Sequence, residues 1–248
     1  MKTNTTRFSD KVEDYKKYRP GYPAQLIQLM YDKMGLNENS VVADIGSGTG
    51  ISTSLFLNNG NRVYAVEPNA EMRAAAESDL SGNKNFHSVN GTSEKTGLSG
   101  QSVDLIFSAQ SFHWFDQALA KIEFQRILKP GGHIAVAWNV RDEKFPFQKT
   151  YEEILKSNIP EFARVNYTNV SQKDIEEFFS PKTFHIESGT HFQEFDLDGL
   201  KGRLTSSSYC PKDGNLYDKL MKEMAALFDR FAENGFIKFH YKTMIYWC

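Results

Sequence analysis

Val41-Val42-Ala43-Asp44-Ile45-Gly46-Ser47-Gly48-Thr49-Gly50 decides how this chain is read. Its first half is a short apolar, β-branched run ending in an acid, the pattern of a strand buried on both faces. Its second half carries glycine at alternate positions and passes into Ile51-Ser52-Thr53-Ser54-Leu55-Phe56-Leu57, a helical segment closed by Asn59-Gly60. Strand, glycine turn and helix make the opening half of a nucleotide-binding βαβ unit. Glycine is needed in such a turn because a side chain would hold the backbone away from a bound ligand.

A second strand is predicted over Asn61–Val66, and the acid that ends it, Glu67, lies 21 residues after Gly46. Folds of this kind place a carboxylate at that separation, where it meets ribose hydroxyls. A dinucleotide site asks for Gly-x-Gly-x-x-Gly or Ala, but the sixth position here is Ile51 and the loop spells Gly-x-Gly-x-Gly. A glycine turn that holds no ligand is the third reading. The run Asp44-Ile45-Gly46-Ser47-Gly48-Thr49-Gly50 closely resembles motif I of the class I S-adenosylmethionine-dependent methyltransferases.

Composition narrows the field. At 248 residues the chain suffices for one domain burying roughly three quarters of its unfolded surface. With 29 basic against 31 acidic residues, no polyanion partner is expected, and so no nucleic acid. No window approaches 18 uninterrupted apolar residues, so no membrane partner is expected. Met1 to Arg7 lacks an apolar signal core. Cys210 and Cys248 are far apart and form no CxxC, which argues against a disulfide framework or a cysteine-built metal site. A cytoplasmic monomer or homodimer without a metal is the expectation.

Along the chain, Phe8, Val12 and Tyr15 recur at helical spacing up to Arg19, and Pro20 ends the segment. Leu26, Ile27, Leu29, Met30 and Met34 mark a second helix stopped by Gly35. Asn69 is the predicted N-cap of a helix running through Met72 to Leu80. A strand over Asn85–Val89 leads into Gly91-Thr92-Ser93-Glu94, and another over Ser102–Phe107 runs into Ser108-Ala109-Gln110-Ser111-Phe112-His113-Trp114-Phe115-Asp116. Ligands of open parallel sheets bind beyond the carboxyl ends of strands, so this last loop is where acceptor contacts are expected. A helix follows from Asp116, with Leu119, Ile122 and Ile127 as its apolar positions, and Leu128-Lys129-Pro130-Gly131-Gly132 turns into the strand His133–Trp138. Helices are predicted over 147–158 and 171–179, the second capped by Ser171. Alternating stretches at Thr183–Leu197 and Phe236–Trp247 flank an amphipathic helix, Leu216–Phe231.

Ile127-Leu128-Lys129-Pro130-Gly131-Gly132 followed by a strand is a second match to the methyltransferase family, and with Glu67 in step the resemblance spans residues 41 to 139. The chain is most similar to small-molecule methyltransferases of the UbiE and trans-aconitate type. That implies an α/β fold: a doubly wound, mostly parallel seven-stranded, Rossmann-like sheet with a C-terminal antiparallel hairpin and a helical lid. It implies one methyltransferase domain over 1–248, divided into a lid at 1–35, a cofactor-binding core at 36–140 and a cover at 141–248. The aromatic and basic segment Arg7–Pro23 resembles the family's lid, although by itself it reads equally as a packing arm.

The same resemblance implies S-adenosylmethionine as cofactor, held by Arg19, Asp44, Gly46, Ser47, Gly48, Glu67, Pro68, Met72, Thr92, Ser93, Ala109 and Gln110. Thr92 offers only a hydroxyl where family members commonly carry an acid for the adenine amino group, which leaves the backbone amide of Ser93 to serve the ring. Tyr15, Tyr22, Trp114, Trp138, Asn139 and Arg141 are the implied acceptor contacts. Arg suits a bidentate grip on a carboxylate, so Arg19 is expected on the methionine carboxylate. His113 is the candidate catalytic residue: a base for a hydroxyl or carbon acid, a hydrogen-bond donor to a carboxylate, or a packing residue. Methyl transfer is an in-line displacement for which orientation is worth roughly 7–11 kcal/mol and no metal is needed. The acceptor is expected to be small, either a carboxylic acid methylated on oxygen or a quinone- or phenol-like molecule. A binding module without turnover is the reading from another class.

Overall fold

The computed structural model describes residues 12–160, 162 and 171–248, so the start of the helix predicted from Phe8, and of the lid segment predicted from Arg7, lies outside the described residues. The central strand β1, Val41–Ile45, is flanked in parallel by β2, Arg62–Val66, and β4, Val103–Ala109. β3, Phe86–Val89, pairs with β2, and β5, Leu128–Arg141, pairs with β4, both in parallel. β7, Ile237–Trp247, runs antiparallel between β5 and β6, His185–Phe195, giving the order β3-β2-β1-β4-β5-β7-β6. The sheet has the class I methyltransferase architecture, C-terminal hairpin included. Strand order reverses between β1 and β4, and at such a point the carboxyl ends open a crevice.

Two apolar layers cover the sheet. One joins Ile45, Ile106 and Val136 to Phe124 of α5, Gln117–Ile127, and Phe178 of α7, Gln172–Phe179. The other joins Val42, Leu105 and Phe107 to Met30 of α2, Gln25–Met34, and Phe56 of α3, Ile51–Asn58. A third cluster, with Tyr151, Leu204, Met224 and Phe239, gathers α6, Pro146–Asn158, α8, Leu197–Thr205, and α9, Gly214–Phe231, on β7.

Local signals held where they were strong. Gly35 stops α2 in the left-handed region at φ 64°, Asn69 caps α4, Ala70–Leu80, by accepting from Met72, and Ser171 caps α7 with a reciprocal Asp174. α5 departs from its predicted face. Leu119 and Ile122 are 51% and 64% exposed, and the buried positions are Ala120, Phe124 and Ile127, at i, i+4 and i+7. Glu123 is buried among them because it accepts from Thr96 and Arg126, a compensation that its neighbours in sequence do not reveal.

α8 was not predicted at all. Its two glycines weaken any helical pattern, yet they serve packing. A Cβ on Gly202 would stand 2.2 Å from the ring of Tyr18 on α1, Val12–Tyr18, so the glycine lets α1 lie against α8. Thr205 also donates to Asp14 of α1. The docking brings the end of α1 over the crevice.

Candidate cofactor and acceptor site

The glycine turn after β1 is pinned to β2, since the amides of Gly46 and Ser47 both donate to Val66 O at 2.9 and 3.2 Å. Gly46, Gly48 and Gly50 all take positive φ, at 69°, 58° and 84°. A Cβ on Gly46 would meet Ser111 at 2.6 Å, whereas nothing lies within 4 Å of the Cβ position at Gly48. The turn is therefore pressed against the β4 loop on one side and open on the other. Ser111 is itself fixed by donating to Ile45 O.

Glu67 closes the open side. One carboxylate oxygen accepts from Gly48 N at 2.9 Å and the other from Asn69 N at 2.9 Å. Burial pushes its carboxyl above the usual range, and the two backbone donors oppose that rise. Glu67 lines a cavity of about 220 Å³.

That cavity gathers most of the predicted residues. Gly46, Gly48, Glu67, Pro68 and Met72 line one end, with Thr92 and Ser93 beside them. Ala109, Gln110, His113 and Trp114 enter from the β4 loop, Tyr15 and Arg19 from the end of α1, and Arg141 from the end of β5. Gln110 is held at φ 58°, a costly conformation outside glycine, by hydrogen bonds to Ala137 O and Asn139 O. Ser47 and Tyr22 line instead an adjoining cleft of about 40 Å³, which shares Arg19 and Gln110 with the cavity.

Three predicted residues lie outside both spaces. Asp44 sits beneath the glycine turn, where Ser52 and Thr53 donate to one oxygen at 2.8 and 2.6 Å; it fixes the first turn of α3, and burial lifts its carboxyl to about 6. Trp138 faces the core, edge-on to Phe112 and Tyr246, because alternation along β5 turns it toward the α5 layer. Asn139, one residue on, points the other way and ties Thr243 to Gly21 O. It positions the segment after α1 and does not line the cavity.

Asn69, Glu94, Ser111, Phe115, Ser208 and Tyr209 also line the cavity and were not named as contacts, although Ser111 and Phe115 belong to the loop where acceptor contacts were expected. Glu94 had a signal: it lies two residues beyond Thr92, in the loop where an acid was expected. Ser208 and Tyr209 had none, since they follow the unpredicted α8.

Arg19 donates to Ser206 O at 3.2 Å and lies over the Tyr15 ring at 4.9 Å. Its Nε is buried without a partner, and among the described residues it makes no ion pair with a carboxylate. Among the described residues His113 Nδ1 is likewise buried and unpartnered. Burial, with the Arg19 charge adding to it, lowers the His113 pKa to about 4. The imidazole is therefore neutral at physiological pH, and the sign matters for kinetics. Any dependence of turnover on neutral His113 should appear as loss of rate when pH falls toward about 4, with no step near the ordinary histidine value of about 6.5. A pH–rate profile of wild type against His113→Asn checks this; a histidine-dependent step between pH 6 and 7 would contradict it.

Among the described residues no helix is long and apolar enough to cross a membrane, and no cluster of metal-ligating side chains occurs.

Comparison with known proteins agrees with this geometry. The profile of a family described as a methyltransferase domain matches residues 43–136. An uncharacterized methyltransferase of Schizosaccharomyces pombe is 31% identical over 153 residues, which is 60% of this chain and 59% of that protein. An uncharacterized methyltransferase of Mycobacterium bovis is 34% identical over 152 residues, 60% of this chain and 58% of its own. The chain thus spans less than two thirds of the curated relatives it matches. In fold it is similar to a proposed type II methyltransferase of Anaeromyxobacter dehalogenans, at TM-score 0.69 and 20% identity, covering 93% of this chain and 97% of that one. Residues 43–136, from the glycine turn into β5, are thus similar to a methyltransferase domain, and the whole sheet shares the fold of such an enzyme.

Proposed function

We propose that this protein transfers the methyl group of S-adenosylmethionine to a small acceptor. The observation that carries the reading is Glu67, a buried carboxylate held at the cavity wall by the amides of Gly48 and Asn69 beside an open glycine turn. The residues fit the cofactor. Glu67 would take the ribose diol, Gly48 would let the backbone approach it, and Met72 and Ser93 would flank the adenine. Glu94, whose carboxylate accepts from Ser93 and Asp116 N, supplies an acid close to where Thr92 lacks one. Arg19, with its unpartnered Nε, would hold the methionine carboxylate.

When bound, the cofactor supplies an electrophilic methyl group on a sulfonium. The protein's own part is orientation and exclusion of water. Tyr15, Trp114 and Phe115 bring aromatic faces to the cavity, a surface suited to a cation. Tyr15 and Arg19, at the end of α1, support the reading of the N-terminal segment as a lid over a single-domain site. Neutral His113 supports a hydrogen-bonding role toward the acceptor over that of a base, because a group with a pKa near 4 is a weak proton acceptor. A carboxylic acid methylated on oxygen, already ionised and needing no base, is the acceptor this favours over a phenol or carbon acid. Cys210 and Cys248 lie far apart in the sequence and form no disulfide, which accords with a reducing cytoplasm.

Arg19→Ala tests the cofactor assignment. Loss of a charge-assisted pair should weaken S-adenosylhomocysteine binding about ten- to a hundredfold. Adenosine, which has no carboxylate, should bind wild type and variant alike. Equal affinity of both proteins for S-adenosylhomocysteine would return Arg19 to a structural role.

A further inference from the structure

The end of the cavity away from the glycine turn is built around excess positive charge. Arg141 lines it and is ion-paired with buried Glu152. Arg203 stands behind it, 3% exposed, and among the described residues its guanidinium donates to neutral partners, Tyr241 Oη at 2.9 Å and Ser207 Oγ at 3.3 Å. Arg19 is taken by the methionine carboxylate in the reading above and Arg141 is paired with Glu152, which leaves Arg203 as a buried guanidinium with no ion-paired carboxylate among the described residues. A buried charge without a counter-ion is costly, so such a surplus calls for an anion.

Two phenols complete the corner. Tyr209 lines the cavity and Tyr151 is fully buried, and among the described residues the buried hydroxyl of each has no hydrogen-bond partner. Ring contacts hold them beside the cations: the Arg141 guanidinium lies 5.9 Å from the Tyr151 ring and 5.6 Å from Phe162, which packs edge-on to Tyr209 at 5.0 Å. Unsatisfied hydroxyls next to surplus guanidinium charge are donors waiting for an acceptor.

Resting on the methyl-transfer reading above, we infer that this corner is an anion subsite: Tyr209 and Arg141 hold a carboxylate of the acceptor, and the Arg203 charge behind them selects ionised acceptors over neutral ones. The anchored carboxylate is not the group that is methylated. Glu152, Tyr241 and Ser207 fix the guanidiniums in place, so an anchor that became a neutral ester would leave them unmatched within the closed site. The acceptor is therefore an acid that keeps one carboxylate through the reaction.

The test uses protein saturated with S-adenosylhomocysteine and titrated with succinate, monomethyl succinate, dimethyl succinate and inorganic phosphate, read by calorimetry and thermal shift. Saturable binding of succinate and its monomethyl ester, with none of the diester, is the expected result. Tyr209→Phe removes only an unpartnered hydroxyl, so it should leave the melting temperature unchanged or raised while weakening succinate about ten- to a hundredfold. Arg203→Gln should weaken it as well. Equal binding of diester and diacid, binding of phosphate alone, no binding of any probe, or an unchanged affinity in Tyr209→Phe would each overturn the inference. If S-adenosylhomocysteine itself failed to bind, the methyl-transfer reading would fall; if it bound and the acids did not, only the anion subsite would.

Discussion

Replacing Glu67 with alanine is expected to weaken S-adenosylhomocysteine binding by about ten- to a hundredfold or more. A hydrogen bond to a charged group contributes about 1.5–3 kcal/mol, and a ribose diol makes two. The carboxylate is already desolvated and already oriented by Gly48 N and Asn69 N, so little further ordering is needed when a ligand arrives. Its raised pKa gives the stability sign: the folded state favours the protonated form, so ionised Glu67 costs stability as pH rises above the unfolded carboxyl value. Glu67→Gln removes that cost and still offers one acceptor oxygen to the backbone. Its NH2 must face the other of the two amides, so the lost acceptor offsets the stability gained by removing the charge, and the variant should bind the ligand less tightly. Calorimetry with thermal melts of both variants checks this, and unchanged affinity in Glu67→Ala would remove the residue from the site.

Gly46→Ala should be the most damaging change in the glycine turn. The position has φ 69°, and forcing alanine there costs about 1–2 kcal/mol. The new methyl would also stand 2.6 Å from Ser111, an overpacking cost of about 1–3 kcal/mol. Together these remove about 2–5 kcal/mol from a fold whose total stability is of the order of 5–15 kcal/mol. A denaturant titration of Gly46→Ala reads the sum. Ser111→Gly by itself loses the hydrogen bond to Ile45 O, so the cycle includes that single variant, and the double variant should be more stable than the sum of the two single losses by the overpacking share. If the two losses simply added, the contact with Ser111 would not be the cause.

How much of this was legible in the sequence depended on range. The strand–turn–helix at Val41–Leu57, the caps at Asn69 and Ser171 and the acid at Glu67 are specified by neighbours within a few residues, and each appears where it was expected. Asp44 was misplaced by one layer, because a motif gives its position on the chain and not the side of the turn its carboxylate serves. Trp138 and Asn139 could not be sorted before the pairing of β5 with β7 fixed which face each takes. The acceptor end resisted most, and of its four residues only Arg141 was named in advance, by the family resemblance. Arg141, Arg203, Tyr151 and Tyr209 come from β5, α8, α6 and the segment after α8, and only packing around Phe239 and Tyr241 brings them together. No local pattern announces a cluster assembled from four elements.

The most direct test of the central claim is a calorimetric titration of wild-type protein with S-adenosylhomocysteine, repeated with NAD. The expected result is one saturable site per chain for S-adenosylhomocysteine, displaced by S-adenosylmethionine, with no binding of NAD. Absence of S-adenosylhomocysteine binding, or binding of NAD in its place, would contradict the account.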